Sequence, residues 1–365
     1  MSKAKLAILI VGAGAIGRGF IAPYYSKKYD IYFADCDKGV IEKFSTQNSS
    51  YVTAFSVSNG YKLLSVSYQA CFDINNLTAL PQNISYAFFA VGIKHLGVAA
   101  KKIADLCHKN QFQAVYSVEN DSDSKLVLDS CFDGICPAFF GVPDVITSSD
   151  APQHLKIKHP LCLVSEQGEL YLEGDLLESD ASQQPEGYVH MHWLCKKYLH
   201  NTPHAALAYL GAQKGYQYIH QSAQDPKIAA ITQNIMSQVL TVLSKEFHFD
   251  NDFMQAYLDK EWKRFTDNKL YDPILRVGRN PLIKLSSNER IVYVLSLLEK
   301  HGLPTQELVK VIAVALTYPH DSELMHIRDQ LDLSELITQV TGINSTSQLG
   351  KQIIKAFNNE LVAVV

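Results

Sequence analysis

Residues 6–17 read Leu-Ala-Ile-Leu-Ile-Val-Gly-Ala-Gly-Ala-Ile-Gly. The first half of this stretch is an unbroken apolar run, the pattern of a strand buried on both faces. It ends on Gly12, Gly14 and Gly17, a G-x-G-x-x-G spacing, and a helical pattern then runs through Phe20 and Tyr24. In that setting Gly12 permits a tight turn, Gly14 lets the main chain approach a pyrophosphate, and Gly17 lets helix and strand pack closely. The anion would rest on free N–H groups at the helix N-terminus, those of Ala15 and Ile16, favoured by the helix dipole. Asp35 lies eighteen residues past Gly17 and closes the next apolar run, 31–34. A carboxylate there accepts hydrogen bonds from ribose hydroxyls. It also repels a 2′-phosphate, as does Asp37, so the predicted cofactor is NAD rather than NADP. The fingerprint alone also admits FAD or another nucleotide. Gly92, after an apolar run at 86–91, is a second expected point of main-chain contact.

Outward from this stretch the alternation continues, with apolar runs at 114–118 and 137–142 and a helical pattern at 98–107. Strand–helix–strand crossovers of this length predict a doubly wound parallel sheet covered on both faces. Short runs at 161–164 and 169–173 are expected to extend it as an antiparallel edge. Beyond a polar stretch at 178–186 the period becomes helical. Asp225 and Pro226 read as an N-cap and first-turn residue, with Ile228, Ile231, Ile235, Val239, Val242 and Phe247 on one stripe. Residues 291–298 and 308–316 behave similarly. The expected fold is α/β: a Rossmann-type dinucleotide-binding domain, 1–186, followed by a mostly α-helical substrate domain, 187–365.

The chain's 365 residues agree with two domains, because single cores stop growing near ~250–300 residues. Thirty-three basic against 37 acidic residues give a net charge of −4, which disfavours a nucleic-acid partner. No apolar run reaches the ~18 residues of a membrane span. The basic, apolar start superficially resembles a signal peptide, but Gly12, Gly14 and Gly17 interrupt it. Seven cysteines without any C-x-x-C predict reduced thiols, with neither a disulfide framework nor a zinc site. The expected protein is cytoplasmic, metal-free and without membrane or nucleic-acid partners. A monomer is expected, with a dimer as the alternative.

Two stretches of the second half are dense in chemistry. Lys196, Asn201, His204 and Gly211 fall in one 16-residue stretch. Thr202 and Pro203 read as the start of a new helix with Gly211 as its stop, so that Lys196 closes one helix and Asn201 and His204 open the next. A helix N-terminus and a nearby nicotinamide cation would lower the lysine pKa toward neutrality. Such a lysine exchanges a proton with an alcohol, an asparagine donates to a developing alkoxide, and the histidine holds the lysine or a substrate hydroxyl. The same residues also fit an exposed lysine, a cap asparagine and a surface histidine. Further on, Arg276, Arg279 and Lys284 place three cations within nine residues. These suit either a solvated face or an anionic guest such as phosphate.

The ordered blocks GAGAIGRGFIA, FADCD, AVG, SVEN, K-x4-N-x2-HAALAYLG, RF-x5-YDPILRVGRNPLIKL and ERIVYVLSLLEKHGLP cover most of the chain. In this set the sequence resembles the polyol-specific long-chain dehydrogenases, in particular the mannitol-1-phosphate 5-dehydrogenase group. The resemblance implies a metal-independent, NAD-linked interconversion of D-mannitol 1-phosphate and D-fructose 6-phosphate. Lys196 would be the general acid/base, Asn120 and Asn201 would polarise the substrate oxygen, and His204 would support the lysine. Arg276 and Lys284 would meet substrate hydroxyls or phosphate, Arg279 the phosphate itself, and Arg290 would be structural. The partner implied is a small sugar phosphate or polyol phosphate.

The sequence departs from the family's V-D-R-I pattern at Val142-Pro143-Asp144-Val145-Ile146, where Asp144 is kept but a valine follows it. The segment 166–186 is also short. Asp144 and Glu166 are therefore candidates for substrate hydroxyls at an altered pocket rim. His190 and His192 read as helix-surface residues, with a proton path as the alternative. Two alternatives to the leading function stand beside it: the same chemistry on another polyol or on a hexonate such as fructuronate, and a non-catalytic NAD-binding sensor.

Overall fold

The computed structural model describes residues 5–108, 111–174, 177 and 187–362. The polar stretch 178–186, expected to end the first domain, lies outside the described residues. The chain divides into two compact units, residues 1–193 and 194–365.

Eleven strands are described in the first unit: β1 (Ala7–Val11), β2 (Asp30–Asp35), β3 (Ser50–Val57), β4 (Gly60–Ser67), β5 (Ala70–Asp73), β6 (Ile84–Phe89), β7 (Ala114–Ser117), β8 (Ala138–Asp144), β9 (Thr147–Ser148), β10 (Leu163–Ser165) and β11 (Glu169–Leu172). Seven form one sheet in the order β11-β8-β7-β6-β1-β2-β5. All neighbours are parallel except β11, which runs antiparallel to β8 at the edge. The apolar run at the start of the chain therefore becomes an interior strand, paired on both sides by β6 and β2. Its alternate residues feed two separate cores, Ile8 and Ile10 on one face and Ala7, Leu9 and Val11 on the other. That is the physical reason the run is continuous rather than alternating.

The expected antiparallel edge is half right. Glu169–Leu172 extends the sheet, but Leu163–Ser165 joins a second sheet of order β4-β3-β10-β9. In it, β3 and β4 form a hairpin with Val57 opposite Gly60. That hairpin is signalled by Ser58-Asn59-Gly60 between two β-rich runs.

The second unit is helical. Its helix Asn201–Gln213 has Thr202 through Gly211 buried, apolar nearly all round as a central helix must be. It packs against helices Pro226–Phe247, Ile274–Gly278 and Gln306–Leu316. Helix Pro226–Phe247 starts as its sequence predicts: the Asp225 side chain accepts from the N–H groups of Lys227 and Ile228, and Pro226 takes a position that needs no N–H. No described helix is long and apolar enough to cross a membrane.

Candidate active site

In the first unit the glycine loop follows β1 directly. Gly12 has φ 99°, and a Cβ there would lie 2.3 Å from the Ala90 carbonyl oxygen. A Cβ on Gly17 would lie 2.1 Å from the Gly12 carbonyl oxygen. Gly14 differs, since nothing lies within 4 Å of where its Cβ would be, and the loop is open on that side. Ala15 and Ile16 form the first helical residues after it, and the helix passes into a π segment, Gly17–Ile21.

Asp35 ends β2. Its Oδ2 accepts from the Ala13 N–H at 2.7 Å and its Oδ1 from the Asp37 N–H at 2.9 Å. Each carboxylate oxygen has two lone pairs, so capacity remains for ribose hydroxyls. The Ala13 peptide is held from its other end too: the Arg18 guanidinium donates Nε to the Ala13 carbonyl and Nη1 to the Leu161 carbonyl, the latter at 2.9 Å. Arg18 is not among the residues that sequence patterns single out. Its signal is a lone cation among small and apolar residues at a helix start.

The second loop shows a similar device. Gly92, with φ 85°, caps helix Ile93–Ala104. Glu119 Oε1 accepts from the N–H groups of both Val91 and Gly92 at 2.8 Å. Sequence patterns pass over Glu119 as well, although it adjoins Asn120. Asn120 itself is exposed, and its carbonyl accepts from the Trp193 indole at 3.4 Å. Asp144 is buried at the end of β8. Glu166 Oε1 accepts from the Ile146 N–H at 2.6 Å, and the His192 ring stacks on Tyr171 at 3.5 Å.

In the second unit, the sequence places a helix break at Thr202-Pro203, and the structure has none. A π segment, Cys195–His200, runs straight into helix Asn201–Gln213, with the Asn201 N–H reaching back five residues to the Lys196 carbonyl. Pro203 has no N–H to give and its ring would press on the carbonyl four residues earlier, so the preceding turn widens instead of breaking. Lys196 therefore lies in a wide turn, 9% exposed, and not at a helix terminus. Gly211 does not stop the helix. A Cβ there would lie 1.9 Å from Ser222 Oγ, so this glycine serves packing.

His204 is buried, and its Nε2 bonds to Asp272 Oδ2 at 2.7 Å. The other oxygen of Asp272 accepts from Arg276, Nε at 2.8 Å and Nη2 at 2.5 Å. Burial pushes the His204 imidazole down to about 4, against the pull of Asp272. Burial works to raise Asp272, but Arg276 and His204 outweigh it and hold the carboxyl down at about 2. The pair is thus a neutral imidazole beside a carboxylate.

Lys284 donates its ammonium to the Arg279 carbonyl. Burial, together with the charges of Arg290, Arg279 and Arg276, pushes it down to about 7. Arg279 is itself exposed at the surface, and partial desolvation and the neighbouring charge of Arg276 lower it. The cation segment is also tied to the lysine-bearing stretch, through Lys197–Glu289 at 3.5 Å and the Thr202 hydroxyl on the Arg290 carbonyl at 2.9 Å. The second unit thus brings His204 and Arg276 onto one carboxylate. Asp272, which joins them, is not among the sequence-predicted residues despite its i,i+4 spacing to Arg276.

Comparison with known proteins agrees with this architecture. Residues 189–360 match the family model of the mannitol dehydrogenase C-terminal domain. A mannitol-1-phosphate 5-dehydrogenase of Caldanaerobacter subterraneus subsp. tengcongensis is 34% identical over 195 residues, 52% of this chain and about half (48%) of that protein's length. One from Thermoanaerobacter pseudethanolicus is 27% identical over 380 residues, covering 95% of this chain and 96% of its own. Among solved structures, Pseudomonas fluorescens mannitol 2-dehydrogenase, in a ternary complex with NAD and D-mannitol, aligns with TM-score 0.78 at 14% identity, over 100% of this chain and 94% of its own. A D-sorbitol dehydrogenase aligns with TM-score 0.70 at 15% identity, over 99% and 95%. At such identities these two establish the fold. Behind a Rossmann-type unit, residues 189–360 thus match the C-terminal domain of the mannitol dehydrogenases, and along nearly its whole length the chain is similar to a mannitol-1-phosphate 5-dehydrogenase.

Proposed function

We propose that the protein is an NAD-dependent polyol-phosphate dehydrogenase interconverting D-mannitol 1-phosphate and D-fructose 6-phosphate. One observation carries the phosphorylated substrate: a single buried carboxylate bonds both His204, on the lysine-bearing helix, and Arg276, in the cation cluster. A sugar phosphate needs both halves, a group that handles a hydroxyl proton and a group that holds an anion. Lys284, crowded by three arginines and lowered to about 7, gains most from a guest that brings negative charge.

The residues of the first unit fit a dinucleotide. Gly14 leaves the loop open on one side, helix N–H groups at Ala15 and Ile16 face an anion's needs, Asp35 keeps acceptor capacity for ribose hydroxyls, and Gly92 caps the second loop. The carboxylate of Asp35 favours NAD over NADP. NAD, when bound, supplies the hydride acceptor and its reduced form the donor. The chain's own residues do the rest. Lys196 takes the hydroxyl proton or returns it, Asn120 and Asn201 donate to the substrate oxygen, and His204 supports the lysine or an adjacent hydroxyl. Arg276, Arg279 and Lys284 hold the phosphate, and Asp144 meets a substrate hydroxyl. No metal takes part. The protein is proposed to work in the cytoplasm as a monomer, on a small sugar phosphate and without a macromolecular partner.

The deciding experiment is NADH oxidation with fructose 6-phosphate at neutral pH, run beside free fructose and fructuronate. Turnover restricted to the phosphate is expected. Activity on fructuronate alone would move the cation cluster to carboxylate binding, and binding of NADH without any turnover would favour a sensor.

A further inference from the structure

We infer that Asp272 is a positioning residue which fixes the His204 ring with its proton on Nε2 and, through the same carboxylate, sets the place of Arg276. The inference deepens the proposed function and rests on it for the meaning of activity measurements, though not for the ring chemistry.

Asp272 is buried and both of its oxygens are engaged, Oδ2 by His204 Nε2 at 2.7 Å and Oδ1 by Arg276 at 2.8 and 2.5 Å. A carboxylate can only accept, so the ring nitrogen facing it must carry the hydrogen. In a neutral imidazole that leaves Nδ1 without a proton, as an acceptor. Among the described residues nothing else bonds this ring. The acceptor nitrogen is what a lysine ammonium or a substrate hydroxyl requires as a partner. The opposite tautomer would offer such a group a second donor and no lone pair.

The orientation is enforced from below. His200 sits one helical turn earlier, 4.8 Å from His204 ring to ring, and both rings lie against Phe265. His200 Nδ1 bonds to Glu261, whose other oxygen takes the Arg264 guanidinium at 2.5 Å. Glu261 is 0% exposed. Two histidine–carboxylate–arginine sets thus lie side by side. In the lower set the arginine is buried as well; in the upper one Arg276 is a third exposed, where a ligand can reach it. The charged groups facing His204 are Asp272, His200 and Arg276. Of these, Asp272 is the one hydrogen-bonded to His204 Nε2, so its carboxylate decides the tautomer.

The coupling also explains why one carboxylate is shared. A planar guanidinium held through Nε and Nη2 has its fork fixed, with the remaining N–H groups free for an anion. A shift of Asp272 moves the hydroxyl-handling ring and the anion-holding fork together.

The test has two arms. Nitrogen-15 NMR of histidine-labelled wild-type protein, with His204→Gln used to assign the signal, is expected to show a neutral ring protonated at Nε2 at pH 7. A ring protonated at Nδ1 overturns the inference regardless of any activity. In Asp272→Asn, a change of charge at constant size, the tautomer is expected to become mixed. With fructose 6-phosphate, kcat should fall about 100-fold and KM rise about tenfold, while NADH affinity stays within twofold. Unchanged kcat and KM in a folded Asp272→Asn would sink the inference. If that variant does not fold, the wild-type tautomer decides. A wild-type enzyme inactive on every polyol phosphate would defeat the proposed function, while the tautomer seen by NMR would still decide the role of Asp272.

Discussion

Two π segments, Gly17–Ile21 in the first unit and Cys195–His200 in the second, use one backbone device for two ends. Each precedes a proline by a few residues, Pro23 and Pro203, and each carries a cation as its second residue, Arg18 and Lys196, both 9% exposed. A proline inside a helix cannot donate to the carbonyl behind it, and widening the turn absorbs the loss. The Arg18 carbonyl stands five residues before Pro23, where a wide turn would otherwise bond it. It instead accepts from the hydroxyls of Tyr51 at 2.7 Å and Thr53 at 3.3 Å. The Arg18 guanidinium is then spent on main-chain carbonyls at Ala13 and Leu161. The first segment therefore builds a loop, while the second offers a buried lysine beside a side-chain network.

The contrast is broken most severely at the two cations. Lys196→Met is expected to lower kcat by about 10³-fold, the range for removing a general acid/base, with thermal stability and NADH affinity nearly unchanged. Arg18→Met should do the reverse. It strands two buried carbonyls, costing about 2–3 kcal/mol in denaturant unfolding, and raises the KM for NADH with kcat less affected. If both variants lost stability and activity alike, the two segments would not differ in role.

The next effect concerns the second unit's network alone. His204 is held near 4, below its ordinary 6.5, so between these values the unfolded chain binds a proton that the folded chain does not. Stability from this site is complete above pH 6.5 and lost as pH falls toward 4. A shift of that size amounts to about 3 kcal/mol. Asp272, depressed to about 2 from 3.8, adds a loss only in the lower window between those two values. Unfolding midpoints at pH 7 and 4.5 should therefore diverge in the wild type and converge in His204→Gln. An equal slope in both proteins would place the titrating group elsewhere.

A smaller effect is expected at Lys284. Lowered to about 7, it loses its charge just above neutrality when no anion is bound. The KM for a phosphorylated substrate should rise about tenfold from pH 7 to 8.5 and stay flat in Lys284→Arg, whose guanidinium keeps its proton. A wild-type KM independent of pH would remove Lys284 from phosphate binding.

These regions are not equally legible in the sequence. The Rossmann-type unit announces itself because its requirements are local: Gly12, Gly14 and Gly17 encode main-chain geometry in the order the chain meets it. The stripe and cap of Pro226–Phe247 are readable for the same reason. The network of the second unit is not. His204 and Asp272 are 68 residues apart, and His200 and Glu261 61 apart. No spacing rule links them; tertiary packing of the histidine-bearing helix against helix Asn251–Thr266 and the segment preceding Ile274 does. The Thr202-Pro203 break fails on a subtler point, since a proline signals a helix start only where the preceding residues have no other way to continue. Arg18 and Glu119 stay hidden because each acts on a neighbour's backbone, which no pattern of side chains displays.

The smallest expected effect tests the most legible region. Asp35 binds the Ala13 and Asp37 N–H groups and keeps lone pairs for a ribose. In Asp35→Asn the amide oxygen can still accept one of these N–H bonds, so the loop should survive with its charge removed. Repulsion of a 2′-phosphate then disappears. The preference for NADH over NADPH, read as a ratio of kcat/KM values, should fall about tenfold, which corresponds to about 1.4 kcal/mol. Because Arg18 still holds the Ala13 carbonyl from the other side, turnover with NADH should drop only a few-fold. A collapse of NADH turnover instead would mean that Asp35 is needed first to shape the glycine loop, and only second to choose the cofactor.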